Sequence, residues 1–370
     1  MTEAAKLMHE LDHLLDQFIV PHNKKISLRK DYDPAFKPGH LKKSDMRELL
    51  AEGIRLLAQE QDKLFAQNTY GVLVILQALD AAGKDGTIKH VMSGVNPQGC
   101  KVYGFQAPSA EELDHDYLWR CAKALPRRGC IGIFNRSYYE EVLIARVHSE
   151  ILGTQQLPEH LLDKHIWNRR FEEMNNFEKY LVNNGIVVLK FFLNVSKEEQ
   201  KQRFLERIEL PEKNWKFSSA DVRERGYWND YVDAYEDCFN HTSTGWAPWY
   251  IIPADYKPFT RLAVGYCIYK TLKELKLRYP AVSDAKKREL QQAKALMVEG
   301  RNGREEQGEK NSKALKEEKG GREQKNAKAG KAEKEGKGTR QERSAKDGKV
   351  SKAAQNIGTE KASKEGNNKG

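Results

Sequence analysis

The sequence predicts an α/β protein with a doubly wound parallel sheet, and three observations carry that expectation. Gly71-Val72-Leu73-Val74-Ile75-Leu76 is a continuous apolar, β-branched run, as a strand covered on both faces requires. Four further runs, Lys101 to Phe105, Cys130 to Phe134, Ile186 to Leu193 and Trp249 to Ile252, alternate with stretches of helical periodicity. The first run also passes through small residues, Ala78-Leu79-Asp80-Ala81-Ala82-Gly83-Lys84, directly into a helical pattern. Strands alternating with helices close as right-handed parallel units. Sheets of that kind bind ligands beyond the carboxyl ends of their strands.

In chain order, MTEAAKLMHELDHLLDQFIV alternates charge with leucine at helical spacing, so it reads as an amphipathic helix and not as a signal peptide. Ser44 to Gln67 repeats the pattern, and residues 1–68 are expected to form a helical extension ahead of a domain at 69–280. Further helices are expected over Thr87 to Ser93, Ala110 to Leu125, Tyr138 to Glu150, Pro158 to Asn183 and Lys197 to Ile208. No apolar stretch reaches the ~20 residues that span a membrane. Cys100, Cys121, Cys130, Cys238 and Cys267 form no CxxC pair, which points to buried thiols in a reducing cytoplasm.

The last 85 residues are different in kind. From Lys286 to Gly370 there are 24 Lys+Arg against 14 Asp+Glu, which is the whole net charge of +10 and leaves the rest of the chain balanced. No aromatic residue follows Tyr279. A segment so poor in apolar surface cannot offset its ordering entropy, and a disordered tail over 286–370 is expected. From Lys310 to Lys352 every third residue is Lys or Arg, fifteen in succession. A polyproline II chain would align this stripe on one edge at a spacing of about 9 Å. That edge could follow a linear polyanion, although the interspersed acids weaken its field and a repeat expansion would leave the same pattern without any function.

The chemistry is expected at the end of the first strand. Small side chains at Ala82, Gly83 and Gly86 let backbone N–H groups converge on phosphate oxygens, the helix start adds partial positive charge, and Lys84 reaches the phosphates. The loop departs from the Gly-x-x-x-x-Gly-Lys-Ser/Thr pattern at Ala78 and Asp85, so the usual metal-binding hydroxyl is absent. Thr87 follows in the helix, and Asp80, a hard oxygen donor, can take over Mg²⁺. The Cys130 to Phe134 run ends in Asn135-Arg136-Ser137-Tyr138-Tyr139-Glu140, where P-loop enzymes usually place a metal-associated Asp. Asn135 is the weaker ligand there, and Arg136 can stabilise the transferred group bidentately. Arg120, Arg127 and Arg128 suggest a cationic margin, with solvated helix-end arginines as the plain alternative. Arg203 and Arg207, one helical turn apart, and Lys216 suggest a lid near 200–240, with ordinary salt bridges to Glu199 or Glu206 as the alternative.

The segments LDAAGKDGTIKHVMSGVNPQGCKVYGF, ELDHDYLWR, LPRRGCIGIFNRSYYEEVLIARVH, KNWKFS and APWYIIPADYKPFTRLAV resemble the polyphosphate kinase 2 family, over about Asp31 to Lys276. The resemblance implies a thymidylate-kinase-like P-loop fold with a helical lid, dependence on Mg²⁺ with Mn²⁺ as an alternative, and a homo-oligomer, dimer or tetramer. It also implies reversible phosphoryl transfer between polyphosphate and nucleotides. The family's loop acids fall on Asp80 and Asp85, its loop lysine on Lys84, and its two arginines on Arg120 and Arg136. Where many members have FDRSW, this chain has Phe134-Asn135-Arg136-Ser137-Tyr138; Glu140, where Asn is common, resembles the branch that phosphorylates both AMP and ADP. Two other functions remain open on the residues alone: an ATP-dependent nucleoside-monophosphate kinase, and a protein that binds polyanions or nucleic acid through its tail.

Overall fold

A computed structural model describes residues 3–298 and 312–313. Its elements run α1 (Glu3–Asp16), α2 (Leu28–Asp31), α3 (Lys43–Gln67), β1 (Gly71–Gln77), α4 (Lys84–Val91), β2 (Cys100–Gly104), α5 (Ala110–Leu113), α6 (Trp119–Lys123), β3 (Ile131–Asn135) and α7 (Glu140–Val147). They continue with α8 (Ile166–Asn183), β4 (Ile186–Asn194), α9 (Lys197–Glu209), α10 (Ser219–Glu224), α11 (Trp228–Thr242), β5 (Trp249–Pro253) and α12 (Lys257–Glu274). The five strands form one sheet in the order β2-β3-β1-β4-β5, and every pairing is parallel.

Alternate residues of each strand feed two cores, which is why β1 reads as unbroken apolar sequence. Val72, Val74 and Leu76 pack with α1, α3, α4 and α12. Leu73 and Ile75 pack with α6, α7, α8 and α11. Leu57 and Leu64 of α3 are wholly buried in the first core, each contributing about 2 kcal/mol of apolar transfer. Residues 1–68 are therefore part of the main body rather than an extension, and Met1–Ala281 forms one compact unit. The N-terminal arm also covers one edge of the sheet: Val20 N–H donates to the Trp249 carbonyl at 2.9 Å and Ile251 N–H to the Phe18 carbonyl at 2.8 Å. A covered edge cannot recruit another strand.

Several boundaries differ from the sequence reading. Ala110 to Leu125 is two short helices, because Asp116 accepts from Leu118 N–H and turns the chain between them. The third helix of that reading starts at Glu140, since Ser137, Tyr138 and Tyr139 are spent on the loop before it. The fourth is regular only from Ile166. Neither α11 nor α12 was anticipated. Most of α12 is buried all round, so it lacks the one-sided stripe that marks a surface helix. The lid region narrows as well, because α9 and α11 bury Phe204, Tyr235 and Phe239 and only the stretch between them is exposed, with Trp215 78 % accessible.

Val282–Gly370 forms a separate unit. Residues 284–298 are helical, with Lys287 bonded to Asp284 at 2.9 Å. The expected tail without structure thus fails over its first residues, where i,i+3 pairs support a helix. The basic repeat from Lys310 to Lys352, apart from 312–313, lies outside the described residues. Among the described residues no helix is long and apolar enough to cross a membrane, and all five cysteines are unpaired.

Candidate active site

The parallel sheet delivers the ends of β1 and β3 side by side, with Leu76 in register with Asn135. After β1 the chain turns sharply. Ala81 has φ +62° and Gly83 φ +109°; the second value suits glycine, which carries no Cβ. Helix α4 then starts at Lys84, and its first intrahelical bond runs from Thr87 N–H to the Gly83 carbonyl at 2.9 Å. The amides of Lys84, Asp85 and Gly86 thus precede the helical ladder and are left to receive an anion.

Asp80, Gly83, Lys84, Asp85, Gly86, Asn135, Arg136, Arg207 and Lys216 line one cavity of about 920 Å³. Within it, Arg136 Nη2 bonds Asp80 Oδ1 at 3.0 Å, and Lys84 Nζ donates to the Ala78 carbonyl at 2.8 Å. Arg136 holds a left-handed φ of +66°, an arrangement that persists in a non-glycine residue only where surrounding contacts enforce it. Burial, aided by the Arg136 guanidinium, lowers the pKa of Lys84 against the pull of Asp80, Glu140 and Asp85. Burial raises that of Glu140, opposed by Arg136 and Lys84. For Arg136, burial acts downward but Glu140 and Asp80 outweigh it, and the net shift is up. The carboxylates of Asp80 and Glu140 thus bear on the protonation of Lys84 and Arg136 in the space where phosphate charge would arrive.

The oxygen donors fit a hard divalent cation. Asp80 and Asp85 each commit Oδ1 to a neighbour, and among the described residues no hydrogen bond occupies either Oδ2. Among the described residues no cluster of three or more acidic, His or Cys side chains could hold a metal alone. That sparse set suits Mg²⁺, which takes one or two carboxylates and fills its octahedron with water and substrate phosphates. Asn135, the weaker ligand expected at that position, lines the same cavity; its Nδ2 donates to Asp85 Oδ1 at 2.7 Å and fixes that carboxylate.

Three other expected binding residues are placed elsewhere. Arg203 spends all its donors on the protein: Nε on Glu199 at 2.8 Å, Nη1 on the Ala81 and Ala82 carbonyls at 3.0 and 2.6 Å, Nη2 on the Ala254 and Asp255 carbonyls at 2.6 and 3.3 Å. It brackets the loop from behind and has nothing left for a phosphate. Arg128 lies at the opposite end of the sheet, bonded to the Thr69 carbonyl at 2.8 Å, because it precedes β3 rather than following it. Thr87 is on the buried side of α4 and does not line the cavity. Ala82 is buried too and contributes main chain only. Arg120 stays close by: it donates to the Gln106 carbonyl at 2.8 Å and shares a cavity of about 190 Å³ with Arg136 and Glu140. Arg207 reaches Asp221 at 3.4 Å and, with Lys216, forms the far wall of the main cavity.

Gln200 was missed. Its Nε2 donates to the Asp80 carbonyl at 2.9 Å and its Oε1 accepts from Arg225 at 2.6 Å. Its position three residues ahead of Arg203 on α9 puts both on one helix face, which was the available signal. Because Arg203 is buried and bonds four carbonyls, Arg203→Ala is expected to destabilise the protein by about 3 kcal/mol. The urea midpoint would report it, and an unchanged midpoint would refute the bracketing role.

The sequence profile of the family described as Polyphosphate kinase 2 (PPK2) matches residues 40–280. The chain is 48 % identical over 283 residues to an ADP-polyphosphate phosphotransferase of Rhodopseudomonas palustris, covering 76 % of this chain and 98 % of that one. It is 42 % identical over 255 residues to an AMP/ADP-polyphosphate phosphotransferase of Meiothermus ruber, covering 68 % and 90 %. A crystal structure of polyphosphate kinase 2 from Arthrobacter aurescens TC1 superposes with a TM-score of 0.69 at 39 % identity, over 78 % of this chain and 96 % of that one.

Proposed function

The chain belongs to the polyphosphate kinase 2 family, and from that premise we propose that its loop cavity moves a terminal phosphoryl group between inorganic polyphosphate and AMP or ADP, in either direction. The observation that supports the reading most directly is the convergence of Asp80, Lys84, Asp85, Arg136, Arg207 and Lys216 on one cavity, a volume suited to two polyanions end to end. AMP as well as ADP is included because the Meiothermus ruber relative is named for both and because Glu140 replaces an amide beside Arg136.

In this reading the amides of Lys84, Asp85 and Gly86 seat the polyphosphate end, and Lys84 and Arg136 neutralise the equatorial oxygens of the passing group. Asp80 and Asp85 would hold Mg²⁺, or Mn²⁺ in its place, and the ion would neutralise phosphate charge there. No general base is required, since the acceptor phosphate is already an anion at neutral pH. Positioning and electrostatics carry the rate. Arg207 and Lys216 belong to the exposed lid and would close over the phosphates and exclude water. A homo-oligomer in the cytoplasm completes the reading, and the five unpaired cysteines support the compartment.

Purified protein given Mg²⁺, AMP and polyphosphate, without ATP, is expected to form ADP and then ATP, and chelating the cation is expected to stop both. Product formed only when ATP is the donor would overturn the assignment of polyphosphate.

A further inference from the structure

A charged pair that takes no part in the chemistry described above lies beneath the second loop. Lys190 interrupts the apolar run of β4 and Glu178 lies on α8; both are wholly excluded from solvent, with Nζ 2.6 Å from Oε2. Glu178 Oε1 accepts from the hydroxyls of Tyr138 and Tyr139, each at 2.7 Å. Lys190 also donates to the Tyr139 hydroxyl at 3.0 Å and to the Thr242 carbonyl at 2.7 Å. Burying two opposite charges sacrifices more hydration than an apolar pair of equal volume would, so such a pair is weak evidence for stability in itself. Its presence calls for another reason.

The reason lies in what the two tyrosines connect. They stand between Arg136, in its left-handed conformation, and Glu140, where α7 begins. The remaining residue of the bridge, Ser137, is buried as well, and its Oγ accepts from Gln77 Nε2 at 3.1 Å and from Tyr139 N–H at 3.2 Å. All three residues of the bridge therefore carry a hydroxyl fastened to the interior. Phenylalanine would fill the same volume, but an apolar contact has no fixed length or direction, and a hydrogen bond has both. Conformational strain at Arg136 survives only if its surroundings leave the backbone no alternative.

We propose that Lys190 and Glu178, acting through the Tyr138 and Tyr139 hydroxyls, are positioning residues for phosphoryl transfer that hold the Arg136 guanidinium at the cavity. The proposal rests on the reading of Arg136 as the group that neutralises the transferred phosphoryl. The pair never touches substrate. A displacement of about 1 Å in a transition-state contact costs on the order of 10²-fold in rate, so loosening the tether acts on turnover and spares substrate binding.

The test compares Tyr139→Phe, the charge-free double variant Lys190→Met/Glu178→Gln, Arg136→Ala, and Tyr139→Phe combined with Arg136→Ala, by steady-state kinetics with polyphosphate and ADP and by thermal melting. Tyr139→Phe is expected to melt within about 5 °C of the parent, to keep both KM values within about twofold, and to lose about tenfold or more in kcat. The double variant is expected to do the same; if it does not fold, Tyr139→Phe decides. In the Arg136→Ala background Tyr139→Phe is expected to cost nothing further, because the two act as a unit. Full turnover in folded Tyr139→Phe, or an equal loss in both backgrounds, overturns the positioning role while leaving Arg136 in place. Full turnover in Arg136→Ala overturns the reading of Arg136 and the proposal with it.

Discussion

Lys84→Ala is expected to lower kcat with polyphosphate and ADP by about 10³-fold, the cost of removing one preorganised donor from a developing oxyanion. Lys84 is half-buried at the cavity, it belongs to neither hydrophobic cluster, and among the described residues its side chain bonds to the Ala78 carbonyl alone. The fold should therefore survive, and circular dichroism and the melting temperature serve as controls. The lowered pKa of Lys84, from burial first and Arg136 second, adds a pH dependence with a definite sign. Its charge is lost at a lower pH than that of a free lysine, so the alkaline limb of the rate profile should begin early and should vanish in the variant. A folded Lys84→Ala enzyme that kept its rate to within about tenfold would remove the loop from the chemistry.

Asp80→Asn is expected to cost about 10²-fold to 10³-fold in kcat and to raise the Mg²⁺ concentration needed for half-maximal rate. Two effects combine in that loss: a cation loses a carboxylate oxygen, and the partner that Arg136 holds at 3.0 Å loses its charge, which leaves the guanidinium less firmly fixed. The two residues share one contact, so Asp80→Asn and Arg136→Ala together should cost less than the product of the two single losses. A titration of rate against Mg²⁺ separates the components. An unchanged Mg²⁺ midpoint in Asp80→Asn would assign the whole effect to Arg136 and take the cation away from Asp80.

The sequence was most readable where local chemistry and topology agree. Gly71 to Leu76 announced a central strand because both its faces are covered, and Ala81-Ala82-Gly83-Lys84 announced a phosphate loop because small residues there serve a single physical purpose. Arg136 could be placed because the residue after a parallel strand must lie at its carboxyl end. The same rule, applied to Arg128 ahead of β3, would have removed it from the site. Arg203 was beyond reach for a different reason: four of its five partners are backbone carbonyls at 81, 82, 254 and 255, and a carbonyl leaves no mark in an amino-acid sequence. Lys190 is a charge within an apolar strand, but its partner Glu178 sits on a helix that the strand's sequence does not name. Helix α12 was hidden by its own burial, since a helix covered on every side has no polar face to set its period.

The bonds of Arg203 reach past the stability of the loop. A trans peptide points its carbonyl and its N–H in opposite directions within one plane. By drawing the Ala82 oxygen toward itself at 2.6 Å, Arg203 turns the Gly83 hydrogen the other way, and Gly83 lines the cavity. A cation that never meets the substrate thus polarises the rim of the cavity, gathering oxygens on its own side and presenting hydrogens on the other. The preference of the loop for anions is in this sense inherited from behind, through the orientation of a single amide plane, before any phosphate arrives.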